Sequence, residues 1–138
     1  MDTNGNTKEL IKDLCSRLPY GVILKTDNVF PQKLEGVSFD KDTFLVWVSD
    51  GGFTLDCMDC KPYLLPLSSI TEEQKSYING RWGVNEHFEF EIDPLWGEYF
   101  VDIRNAVDFI NWCYENHFDI NGLIPRGLAE DATDKNIY

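Results

Sequence analysis

The sequence predicts a single α+β domain, and three observations predict it. Apolar residues recur at helical spacing near the N-terminus, the period shortens to that of strands between Tyr20 and Leu67, and helical spacing returns over residues 102–117. The chain has 138 residues, of which 43% are hydrophobic and 14% aromatic, so it can bury a core of its own and is too apolar for a solvated coil.

Leu10, Ile11, Leu14, Cys15 and Leu18 share one face of a helix expected over Thr7–Leu18, with Thr7 as N-cap and Pro19 as its stop. Residues 1–6 precede it as a mobile tail. Short strands follow at Gly21–Leu24, Lys33–Phe39, Thr43–Ser49 and Phe53–Leu55, with Asp40-Lys41-Asp42 and Asp50-Gly51-Gly52 as turns. After the connection Asp56–Lys61, the segment Pro62–Leu67 reads as an edge strand, because proline cannot serve a central ladder. This meander is expected to curl into a small SH3-like barrel.

Ser69-Ile70-Thr71-Glu72 and Thr71-Glu72-Glu73-Gln74 are overlapping capping-box patterns, so a helix is expected from Glu72 to Ile78, ending at Gly80. Residues 88–93 alternate, with Phe88, Phe90 and Ile92 on one strand face and Glu89, Glu91 and Asp93 on the other. A long C-terminal helix is expected at Asp102–His117, where Ile103, Ala106, Val107, Ile110, Cys113, Tyr114 and His117 form one stripe. The polar end, residues 131–138, is expected to be mobile.

Twelve Lys and Arg stand against 24 Asp and Glu, a net charge of −12. A chain so acidic is repelled by phosphate backbones and anionic bilayers, which argues against direct nucleic-acid binding and against a membrane partner. The acidity is spread: residues 1–60, 61–100 and 101–138 each carry a net −4. No apolar run suits a signal peptide or a membrane span, so the expected location is a reducing cytoplasm, where Cys15, Cys57, Cys60 and Cys113 stay thiols.

Cys57-Met58-Asp59-Cys60 has the spacing of a zinc knuckle or a redox pair, but no second ligand pair matches it and it falls on a turn between strands. No metal or cofactor is expected. His117-Phe118-Asp119 could form a general base with its carboxylate, yet no nucleophile accompanies it. A protonated histidine complementing the dipole of the helix that ends there is the simpler expectation, and no catalytic residue is assigned.

Glu86, Glu89, Glu91 and Asp93 lie in a stretch without Lys or Arg between Arg81 and Arg104. Such a ladder serves as a solvated face that discourages edge pairing, as a surface for a basic partner, or, least well given its spacing, as cation ligands. Trp82 and Trp96 sit in glycine-flanked stretches, either as anchors for a binding partner or as indoles closing the core. Of Trp47 and Trp112, one is expected in the core and the other partly exposed.

Three stretches carry a family likeness: Leu18-Pro19-Tyr20-Gly21-Val22, the run from Lys61-Pro62-Tyr63-Leu64 to Thr71-Glu72-Glu73, and His117-Phe118-Asp119 with Gly122-Leu123-Ile124-Pro125 and Gly127-Leu128-Ala129. Together they resemble a group of small proteins of gut Bacteroidales, their phages and their integrated elements. This chain has Leu65 where that group has Arg and Ile70 where it has Met, and residues 134–138 do not reproduce its usual ending. The resemblance implies a phage or mobile-element context and transfers no functional residue.

The expected function is therefore a non-catalytic protein-binding module that meets a basic surface of a host or phage protein. Blocking a host nucleic-acid-binding or defence protein is one form this takes. A different class remains open, a small-molecule or nucleotide-binding protein with its pocket between the meander and the last helix, using Arg81, Arg104 or Arg126 on an anionic group.

Overall fold

A computed structural model describes residues 4–27, 30–40, 43–49, 54–85, 87–89 and 103–138. Helix α1 (Asn4–Arg17) opens the chain and begins upstream of Thr7, the expected cap. It turns over Pro19 into a 3-10 turn at Leu18–Tyr20. The strands β1 (Ile23–Lys25), β2 (Gln32–Asp40), β3 (Thr43–Val48), β4 (Thr54–Asp56) and β5 (Lys61–Leu64) follow, then α2 (Glu72–Trp82), α3 (Ile103–Glu115) and β6 (Glu130–Asp131).

The fold is α+β, as the periodicities imply. Among the described residues its sheet has six strands in the order β4-β3-β2-β1-β5-β6, antiparallel except between β5 and β6. The expected barrel is not closed, since β4 and β6 stand at opposite edges. Nor is β5 an edge strand: it pairs with β1 on one side and β6 on the other. Pro62 is tolerated there because it precedes Tyr63, the first residue of the β5–β6 ladder.

Two apolar clusters form the interior. In the first, Leu10, Ile11 and Leu14 of α1 pack on Leu24, Leu34, Val46, Val48 and Leu64 of the sheet, with Cys57, Cys60, Leu123 and Leu128 around them. In the second, Ile78 and Trp82 of α2 meet Phe109 and Cys113 of α3, together with Ile70, Val84 and Phe118. The rings of Trp82, Phe109, Trp112 and Phe118 interlock, with Trp82 and Phe109 centroids 5.8 Å apart and Trp112 stacked on Phe118 at 5.7 Å.

The capping box at Thr71 and Gln74 forms, each side chain bonding the other's backbone N–H. Gly80 does not end α2. The helix runs on to Trp82 and stops at Gly83, whose φ of 69° is the left-handed conformation that glycine adopts without strain. The three residues 87–89 form a turn, not the start of a strand: Asn85 Oδ1 accepts from the N–H groups of His87 and Glu89, and Phe88 has a φ of 61°. The remainder of the expected strand, including Glu91 and Asp93, lies outside the described residues, as do Glu86 and Trp96.

Helix α3 is 13 residues long, and residues 116–138 follow it, so it is neither long nor the end of the chain. Its expected phase is also corrected. Phe109 and Cys113 are buried, whereas Val107 is 48% and Ile110 41% exposed. Cys15, expected on the inner stripe of α1, is exposed as well, and that helix instead buries Asp13 and Arg17 beside its leucines.

Phe109→Ala should therefore cost about 3–5 kcal/mol, because it removes a buried ring and leaves a cavity. Ile110→Ala should cost well under half as much, since much of that side chain already meets water. Urea melts of the two variants measure the difference, and equal losses would restore the original phase.

Candidate functional site

Arg17 is the most enclosed charged group of the described chain. Its Nε donates to Asp13 Oδ1 at 2.6 Å, Nη2 donates to Asp13 Oδ2 at 3.2 Å and to the carbonyl of Phe118 at 2.7 Å, and both partner side chains of the ion pair are fully buried. Asn121 Nδ2 donates to Asp13 Oδ2 at 2.9 Å, and the guanidinium lies 4.9 Å from the centre of the Tyr114 ring. Nη1 has no hydrogen-bond partner among the described residues. Sequence reading missed this network. Its one signal is the i, i+4 spacing of Asp13 and Arg17, which more often marks an exposed pair.

A cleft of about 440 Å³ opens beside it, lined by Glu9, Lys12, Asp13, Ser16, Tyr114 and Asn121. None of the three arginines considered for an anionic ligand lines it. Arg126 donates to Asn6 Oδ1 and pairs with Glu9, Arg81 lies 5.9 Å from the Trp82 ring, and Arg104 stands exposed on α3.

His117 lies two residues beyond α3 with a φ of 66°, and its ring stacks on Tyr138, the centroids 3.6 Å apart and the planes 7° from parallel. Burial, reinforced by the charge of Arg17, pushes its pKa down to about 4. The expected protonated histidine is thus corrected: the imidazole is neutral at pH 7, so it does not complement the helix dipole. Asp119 is not its partner either, because both carboxylate oxygens accept backbone N–H groups, from Leu123 at 2.8 Å and Ile124 at 2.9 Å. The hydroxyl of Tyr138 accepts from Ile23 N and donates to the carbonyl of Tyr63, joining β1 to β5.

Cys57 and Cys60 lie at the 3-10 turn Cys57–Asp59 and face the first cluster, with Cys60 Sγ donating to the carbonyl of Cys57 at 3.2 Å. Burial, then the neighbouring Cys57, Asp59 and Asp56, pushes the Cys60 thiol up to about 12, and burial does the same at Cys113. Such thiols stay protonated and are poor nucleophiles. Among the described residues no group of three His, Cys, Asp or Glu is arranged to hold a metal, and no helix is long and apolar enough to cross a membrane.

The exposed groups are elsewhere. Trp82 is buried in the second cluster and so acts as an indole closing the core, while Glu89 is exposed. Of the other pair, Trp112 is half-buried and Trp47 is 45% exposed on the β2–β3 hairpin. Near the hairpin's tip, Phe39 is 63% exposed with its ring against Phe44 at 5.0 Å.

Two predictions test the interior. Arg17→Met leaves Asp13 buried without its counter-ion and should cost about 3–5 kcal/mol, whereas the double variant Asp13→Leu, Arg17→Met should lose less than the sum of the two single changes. A double-mutant cycle by urea melts reads the coupling, and additive losses would remove it. For His117, the folded pKa lies below the unfolded value of 6.5, so the unfolded chain takes up the proton first. The stability it confers is full above pH 6.5 and falls as the pH drops toward 4. His117→Asn should therefore lose less stability than the wild type between pH 7 and 5, and parallel pH profiles would contradict the neutral imidazole.

No protein-family model matches the chain, and no curated protein or solved structure matches it significantly.

Proposed function

We propose that the protein is a non-catalytic protein-binding module that presents an acidic surface to a basic partner protein. The observation that carries this reading is the pair of large rings, Phe39 and Trp47, held exposed on one hairpin of a chain with net charge −12. Exposed aromatic anchors are the residues on which interfaces most often concentrate their binding energy. The groups suited to chemistry are occupied in structural roles: Asp119 bonds backbone amides, His117 stacks as a neutral ring, and the Cys60 and Cys113 thiols are protonated.

The likeness to proteins of phages and integrated elements supports an accessory role, such as occupying the basic surface of a host nucleic-acid-binding or defence protein. The acidic residues Glu86, Glu89, Glu91 and Asp93, with Trp96, are second candidates for contact with the partner in this reading. Their charges act chiefly on association rate and on partner choice.

The test compares proteins captured from the bacterial host lysate by three immobilised chains, each checked for folding by its melt. These are the wild type, the variant Phe39→Ser with Trp47→Ser, and the variant Glu89→Lys with Glu91→Lys and Asp93→Lys. Basic proteins retained by the wild type should be lost from the first variant, and should associate more slowly with the second. Unchanged capture by both variants would overturn the reading in favour of the small-molecule alternative.

A further inference from the structure

Trp47 is exposed without being loose. On the outer face of the sheet its neighbours by register are Gly36 and, across the other ladder, Thr54. The indole lies beside Gly36, where a Cβ would sit 3.6 Å from Trp47 Cδ1 and 3.8 Å from Cγ, at ordinary contact distance, so the ring packs against this position of β2. Nε1 donates to Ser38 Oγ at 3.3 Å, which sets the ring's rotation. Trp47 is 45% exposed, so a large part of it is open to solvent.

The surroundings of the exposed ring are acidic. Glu35, exposed at the bulge between Leu34 and Gly36, is nearby on β2, and Asp56, whose Oδ1 caps the turn at Cys57–Asp59 by accepting from Met58 N, stands across from Leu45 on the face that Trp47 shares. The described base on β2, Lys33, reaches away toward Gly21, its Cε 3.4 Å from where a Cβ of that glycine would lie. An aromatic quadrupole is negative over the ring face, and tryptophan attracts cations best of the aromatic side chains. A ring fixed before binding also loses little freedom when it is engaged.

We propose that Trp47 receives an arginine or lysine side chain of the partner protein against its exposed ring, with the exposed Glu35 favouring the approach of that cation. This rests on the protein-binding reading above and names the chemistry recognised. It separates Trp47 from an apolar anchor, which would prefer an uncharged side chain.

The probe is a short glycine peptide carrying two arginines, compared with the same peptide carrying citrulline, which keeps the shape and loses the charge. The indole N–H resonance of Trp47, assigned through Trp47→Phe, should shift with the arginine peptide and not with the citrulline peptide. Trp47→Leu should weaken arginine-peptide binding about 2- to 30-fold, and Trp47→Phe should weaken it less. Glu35→Lys, a change at an exposed position that spares the ring, should weaken it in low salt with the effect shrinking at high salt. Equal shifts with both peptides, or no shift at Trp47, would overturn the cation assignment. If Phe39→Ser with Trp47→Ser still abolishes lysate capture in that event, the module reading stands with an apolar anchor. If capture is also unchanged, both fall.

Discussion

The guanidinium of Arg17 sits where the two apolar clusters meet. Through Asp13 it belongs to α1 and the first cluster, and through the carbonyl of Phe118 it holds a residue whose ring lies in the second. Two small cores, each too limited to stand well alone, are thus fastened by a charged group with no water around it. Taking such a pair out of water is costly, and its attraction in a low-dielectric interior offsets that cost only where the geometry is good. The pair contributes orientation more than net stability, because Arg17 can satisfy Asp13 and Phe118 together in only one relative placement of α1 and the end of α3.

The segment beyond α3 depends on the same fastening. Residues 117–119 leave the helix alongside β5, with Leu65 N donating to His117 O and Asp119 N donating to Leu65 O, both at 2.8 Å. Asp119 then turns the chain by bonding Leu123 and Ile124, which brings Leu123 and Leu128 under α1. A region of little regular secondary structure is shaped by side-chain-to-backbone bonds, and so its polar groups are committed to architecture. The outer face of the β2–β3 hairpin has no such duty, and there the Trp47 ring meets solvent.

Local pattern made part of this legible. The strand period located β1 to β5 within a few residues, and the reciprocal bonds of Thr71 and Gln74 are written in their spacing. Sheet order is not local, which is why Pro62 suggested an edge for a strand that the late-arriving β6 makes interior. Helix α3 was misphased because it carries apolar residues over more than one face: Val107 and Ile110 line up with Cys113 as well as Phe109 does. Only the position of Trp82, itself moved from loop to helix by one extra turn of α2, selects between them. At the hairpin, sequence reading left open which of Trp47 and Trp112 is exposed, because the bulge at Glu35 and the bond from Trp47 Nε1 to Ser38 Oγ are set by pairing between strands.

The pairing of β6 with β5 links residues far apart in the chain, Tyr63 with Glu130 and Leu64 with Asp131, and the Tyr138 hydroxyl closes the same region from still further along. Translation delivers residues in order at about 5–20 per second, so the outer edge of β5 leaves the ribosome several seconds before its covering strand exists. An unpaired edge in a nascent chain is a template for pairing with another copy. Like charges on neighbouring chains oppose such pairing, and this chain carries a net charge of −12.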